Sequence, residues 1–205
     1  MCIALVIPKG VRVDEELIER CSRYNQHGCG FAYVGADGKV VRKRWADSEF
    51  NKGLQHLMLA YSFALEKGAS EHAMLMHFRY ATAGPACKDN SHPFYVSDGA
   101  MVHNGHLFTP SSADKGKSDT RVFAEKYKDA LNKAFVDANA TELERTVGNY
   151  NKIAFLWNGG DVSVLNRDKW TTDPVTSVMF STTPPASKPH DSRINVRALE
   201  TADMS

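Results

Sequence analysis

The sequence predicts an α+β domain built on antiparallel sheet. Two observations carry this: short apolar runs of strand length are joined mostly by hairpin turns, and the helical stretches between them do not follow the regular alternation of a doubly wound fold. A length of 205 residues suits one domain with a sizeable core.

The elements follow in order. Residues 2–7 (CIALVI) form a strand that Pro8 and Gly10 stop. Asp14 caps a helix reaching to about Tyr24, with Leu17, Ile18, Cys21 and Tyr24 as its apolar stripe and acidic residues in its first turn. The HGCG turn at 27–30 leads into a strand at 31–34, and ADG at 36–38 is a hairpin turn into 39–44. A second helix starts at Asp47 or Ser48 and closes at Gly68, with Phe50, Leu54, Leu57, Met58, Tyr61 and Leu65 on one face. The run 72–78 is a buried strand, and shorter strands are expected at 94–96 and 100–103. A helix over 119–135 turns Val122, Phe123, Ala130, Leu131 and Ala134 inward, and Thr141 with Glu144 makes a capping box for a shorter one. Strands 152–157 and 161–166 flank the turn Asn158-Gly159-Gly160, and 177–181 is the last strand. From Pro184 the chain is rich in Pro, Ser and charge, so the reading is a domain at 1–184 and a polar tail at 185–205.

Composition narrows the function. Net charge is +1 and the basic residues are scattered, Arg42, Lys43 and Arg44 being the densest group, so no nucleic-acid partner is expected. No apolar run reaches the length of a membrane span, and 3–7 is too short for a signal peptide. The expected location is the cytoplasm, where thiols stay reduced. Cys2, Cys21, Cys29 and Cys87 have no CxxC pairing, which argues against a disulfide framework or a zinc ribbon.

Cys2 stands directly after the initiator Met, and a small second residue favours removal of Met1. The thiol would then share a residue with a free α-amine of pKa about 7.7–8.0, able to take a proton from a nucleophile. The plainer reading of Cys2 is a small buried hydrophobe opening an edge strand. Four further stretches are polar where a strand exit or a helix start is expected: MHFRYATAG (76–84), NSHPF (90–94), MVHNGHL (101–107) and KSDTR (117–121). Singly, Arg79 reads as a surface ion pair, Asn104-Gly105 as a tight turn, and Asp119 or Ser118 as a helix cap.

Taken in order with the leading Met-Cys and GCGFAYV (28–34), they resemble the class II glutamine amidotransferase domain, a member of the N-terminal-nucleophile hydrolases, over about 2–184. The resemblance implies a four-layer α/β/β/α sandwich of two mostly antiparallel sheets. It implies Cys2 as the nucleophile, with the Asn104 side chain and the Gly105 backbone N–H as the oxyanion hole. Arg79 would bind the α-carboxylate of glutamine, Thr82 would add a hydroxyl contact, and Asp119 would hold the α-ammonium. A γ-glutamyl thioester would form and be hydrolysed, without metal or organic cofactor. His77, His92 and His103 invite a zinc reading with Cys2 or Cys87, but they lack ligand spacing; His77 and His103 are expected to brace the loops holding Arg79 and Asn104. Relatives of this short type often carry Asn-Pro-Asp-Gly where this chain has Asn25-Gln26-His27-Gly28, and 85–90 differs as well.

Little chain follows the last predicted strand, leaving no room for a synthase. Three functional readings remain: a free-standing glutaminase subunit supplying ammonia to a separate synthase, a hydrolase of another γ-glutamyl amide such as a γ-glutamyl peptide, or a catalytically idle binding module. The intact set of Cys2, Arg79, Asn104, Gly105 and Asp119 speaks against the last.

Overall fold

A computed structural model describes residues 1–46 and 50–186. In chain order the elements are β1 (Ile3–Ile7), α1 (Glu15–Ser22), β2 (Cys29–Val34), β3 (Val40–Trp45), α2 (Phe50–Glu66), β4 (Met74–Phe78), β5 (Phe94–Val96) and β6 (Gly99–Asn104). They continue with α3 (Asp119–Tyr127), α4 (Lys133–Ala138), α5 (Ala140–Val147), β7 (Lys152–Trp157), β8 (Val162–Leu165), β9 (Thr171–Thr172) and β10 (Met179–Phe180). Two sheets result, ordered β3-β2-β4-β1-β10-β9 and β5-β6-β7-β8. Every pairing within them is antiparallel. The α+β class with antiparallel sheet is as the sequence predicts.

The period of two along each strand divides the core. Ile3, Leu5 and Ile7 turn outward and pack with Leu17, Ile18 and Cys21 of α1 and Leu57 and Tyr61 of α2. Ala4 and Val6 turn the other way, into a cluster shared with Ala100, Val102, Ala154 and Leu156 of the second sheet. That sheet's far face, with Met101, Phe155 and Trp157, meets Ala124 of α3, Leu131, and Val136 of α4. Alanines at 4, 32, 100 and 154 sit between the sheets beside larger side chains such as Leu75 and Leu156, and most of the bulky aromatic side chains lie under the helices. Fully burying one such large apolar side chain stabilises by about 1.5–3 kcal/mol.

Several expectations are corrected. The helix expected over 119–135 is two helices: α3 ends at Tyr127 with Lys128 as its C-cap, and after a turn Asn132 starts α4 as its N-cap, its side chain accepting from the Phe135 N–H at 2.9 Å. Ala130 and Ala134 are consequently exposed, and Val136 takes the buried position. The Thr141–Glu144 capping box does not form: Asn139 is the N-cap of α5, and the Glu144 carboxylate accepts from the Asn166 N–H at 2.7 Å. Tyr24 lies beyond the end of α1 and is exposed. Ser177, at φ 60°, does not continue the last strand, which shrinks to Met179–Phe180. The start of α2 expected at Asp47 or Ser48 lies outside the described residues, as does the tail beyond 186.

Candidate active site

Strand register brings distant residues to one end of the two sheets. Ile3 pairs with Phe78, so Cys2 and Arg79 sit side by side just beyond β1 and β4. Asn104 ends β6 and Gly105 follows it, while Asp119 is the first residue of α3. Ser181 follows β10 and is tied to β1 by two bonds: its N–H donates to the Ala4 carbonyl at 2.9 Å, and its hydroxyl accepts from the Ala4 N–H at 2.8 Å.

All six residues expected at a site line one of two openings that meet at Cys2. A cavity of about 790 Å³ is walled by Cys2, Thr82, Asn104, Gly105, Tyr150 and Lys152, among others. A narrow cleft of about 20 Å³ is walled by Cys2, Arg79, Thr82, Gly105 and Asp119, among others. Cys2, Thr82 and Gly105 belong to both.

The Cys2 sulfur accepts from the Tyr80 N–H at 3.3 Å and lies 3.4 Å from the Tyr80 carbonyl. Burial pushes the thiol pKa up; the Tyr80 backbone bond, Arg79 and the amino terminus pull it down less. The thiol therefore rests protonated and needs a base to become a nucleophile.

Arg79 is buried, and its guanidinium donates to the carbonyls of Ala83 (2.7 Å), Gly84 (3.3 Å) and Pro85 (2.8 Å). Asn90 helps hold the same loop, donating to the carbonyls of Pro85 (3.2 Å) and Gly116 (2.9 Å). Asp119 accepts from the Leu107 N–H at 2.8 Å and the Thr120 N–H at 2.7 Å, with His106 at 3.7 Å. Its neighbour Ser118 is the N-cap of α3, so Asp119 is not spent on capping.

The Asn104 amide nitrogen donates to the hydroxyls of Ser181 (3.0 Å) and Thr182 (2.9 Å), which commits both its hydrogens. Hydroxyls donate as well as accept, so the carboxamide can turn over, keep both partners through Oδ1 and release Nδ2.

Gly105 is required by shape. Its φ is +153°, and a Cβ there would run into Asn151 and His103. Gly105→Ala is expected to cost about 3 kcal/mol from strain plus overpacking, read as a drop in the urea midpoint.

His103 braces the site from behind. Asn151 donates its amide to the Val147 carbonyl, so its Oδ1 accepts from His103 Nε2 at 2.8 Å, and His103 Nδ1 accepts from the Thr120 hydroxyl at 2.7 Å. His77 Nε2 donates to the His103 carbonyl at 3.1 Å. The His77 and His92 rings lie 3.9 Å apart between centroids. Among the described residues His77 Nδ1 and both His92 nitrogens have no partner. Burial holds all three histidines neutral, His77 down to about 3. Among the described residues no three His, Cys, Asp or Glu side chains are arranged to hold a metal ion, and no helix is long and apolar enough to cross a membrane.

Sequence reasoning missed four supports. His27 Nδ1 accepts from the Ala81 N–H at 2.9 Å, so the unusual residue of the 25–28 turn holds the Arg79 loop. Asn151, Ser181 and Thr182 escaped notice because each acts across long sequence separations; only the isolated Ser181-Thr182-Thr183 run after an apolar pair offered a signal.

No family model matches the chain, and no curated protein matches it. Among solved structures it is similar to a glutamine aminotransferase class-II domain protein from Silicibacter pomeroyi, with 14% identity, 88% of each chain covered and a TM-score of 0.41.

Proposed function

We propose that the chain is a glutaminase-type amidohydrolase of the N-terminal-nucleophile kind, with Cys2 as nucleophile after removal of Met1. The observation that carries this reading is the convergence on Cys2 of a buried cation, a buried carboxylate and an Asn-Gly pair. Met1 is 79% exposed and open to processing. The freed α-amine takes the thiol proton, and the thiolate attacks the side-chain amide carbon of glutamine. The oxyanion is held by the Gly105 N–H and the turned-over Asn104 amide. The amine returns its proton to the leaving nitrogen and ammonia departs. Water, deprotonated by the same amine, hydrolyses the thioester to glutamate. Arg79 and Asp119 take the carboxylate and ammonium of the γ-glutamyl head, and Thr82 adds a hydroxyl contact. No metal or organic cofactor takes part. The ammonia would pass to a separate synthase.

A second reading, hydrolysis of γ-glutamyl peptides, is favoured by the outer cavity, whose volume of about 790 Å³ far exceeds what ammonia needs. Release of glutamate from glutamine and from γ-glutamyl peptides by chain beginning at Cys2 tests both. Release from either supports the assignment of the head group, and release from neither overturns it.

Role assignments can be separated kinetically. Asn104→Ala is expected to lower kcat by about 2.7–4 kcal/mol of barrier, because the oxyanion exists only along the reaction path. Arg79→Lys keeps the charge but loses the planar fork, and should raise KM by about tenfold. Asp119→Asn should weaken both substrates alike. An effect of Asn104→Ala on KM alone would contradict its role.

A further inference from the structure

A second cavity, of about 260 Å³, lies at the open edge of the sandwich, between β3, β5 and α3. Its chemistry is unlike that of the Cys2 site. Arg42 and Arg44 are two residues apart on β3, so both point to one face of this edge strand. On the paired strand β2 their neighbours are Ala32 and Gly30, and the His92 backbone carbonyl lies close over Gly30, where a Cβ would meet it at 2.3 Å. The Arg42 guanidinium lies 4.2 Å from the Tyr95 ring centroid and that of Arg44 lies 5.5 Å from Phe94. Arg44 donates to the carbonyls of Ser91 (2.9 Å) and Asp89 (3.3 Å), and Arg42 to that of Pro93 (3.4 Å). Arg121 of α3 and Lys128, its C-cap, complete the wall.

The charges do not balance. Among the described residues neither Arg42 nor Arg44 has a carboxylate within ion-pair distance. Four cations in the wall face two acidic side chains: Glu125 is held by Arg121 at 2.7 Å and Lys117 at 2.8 Å, and Asp89, 4.0 Å from Arg121, acts on Arg42 and Arg44 only at longer range. Burial and then the charge of Arg42 lower the Arg44 pKa to about 10, against the opposing carboxylate of Asp89. Half-buried like charges without counter-ions are costly. Their positions are fixed by ring stacking and backbone carbonyls, which leave further N–H groups to face the cavity. A guanidinium fork matches the oxygens of a phosphate bidentately.

We propose that this pocket binds a small, multiply charged oxyanion of the phosphate class, free or carried by a phosphorylated metabolite. The pocket also adjoins the first site: Arg44 holds the 89–91 segment, whose Asn90 supports the loop gripped by Arg79.

Calorimetric titration of the full chain with inorganic phosphate and with pyrophosphate tests the proposal, with potassium chloride at matched ionic strength as the control. A phosphorylated sugar titrated alongside distinguishes a carried phosphate from a free one. Saturable binding in the millimolar range or tighter is expected, weakened about tenfold or more by Arg44→Gln, since one charge-assisted contact pair is lost. Arg121→Gln, on a more exposed side chain, should weaken it also and covers the case that Arg44→Gln fails to fold. Heat no greater than in chloride with every probe, or undiminished affinity in the folded variants, would overturn the proposal. The readout is binding, so its failure is distinct from failure of the γ-glutamyl reading.

Discussion

Replacing Cys2 by Ala is expected to reduce glutamate release to background while leaving the fold and the binding of the γ-glutamyl head largely intact. The size of the effect follows from the chemistry: without the sulfur there is no acyl carrier, and water must attack an unactivated amide. Removing a nucleophile of this kind costs several orders of magnitude in rate, far more than any one hydrogen-bond donor. Binding should survive because the proposed roles give Arg79 and Asp119, not the thiol, the charges that match the substrate. The pH profile belongs to the same expectation. Burial keeps the thiol protonated at rest, so turnover waits on the base. For chain beginning at Cys2, kcat/KM should rise with pH through about 7.7–8.0, the range of an α-amine. Protein that keeps Met1 has no amine on Cys2 and should show neither the rise nor the activity. Steady-state assays of both forms, and of Cys2→Ala, check this.

The second large effect is on stability. His77, His92 and His103 are each buried to 3% exposure or less, and each is held neutral mainly by burial. In the unfolded chain they titrate near 6.5, and in the folded protein His77 does so only at about 3. Between these values the unfolded state binds more protons, so stability is fully present above about 6.5 and falls as pH drops toward 3. His77 contributes a slope of roughly 1 kcal/mol per pH unit, and His92 and His103 act in the same direction. His77 alone should remove roughly 1–2 kcal/mol between pH 6.5 and 5, a sizeable share of a typical 5–15 kcal/mol, and His92 and His103 add to the loss. Urea midpoints across that interval should fall, and His92→Phe should make the fall shallower. A flat profile would contradict the neutral, buried state of the cluster.

The strands were legible because their periods agree with their surroundings. In 3–7 the run is apolar throughout, and in 74–78 at every position but His77, as expected when one face meets helices and the other a second sheet. The hairpin around Asn158-Gly159-Gly160 was legible from its turn residues. What escaped was decided by competition or by distance. Asn132 can cap a helix or sit inside one, and only packing of Leu131 and Val136 against the second sheet settles the choice. Glu144 could have capped its own helix but is taken by Asn166, far along the chain. β9 is two residues long and carries no period at all. The six candidate residues were singled out through the order of short motifs, not through any one of them. Their supports were not, because a serine that binds Ala4 and Asn104 at once is an ordinary serine in sequence.

The central claim is that the sulfur of Cys2 carries the γ-glutamyl group. Acid-quenched intact mass and peptide mapping during turnover measure it directly. The account predicts a mass gain of one glutamyl group, confined to the peptide that begins at Cys2 and absent from protein retaining Met1. Glutamate release by the Cys2→Ala variant, or an acyl group found on Cys87 or any other residue, would contradict it.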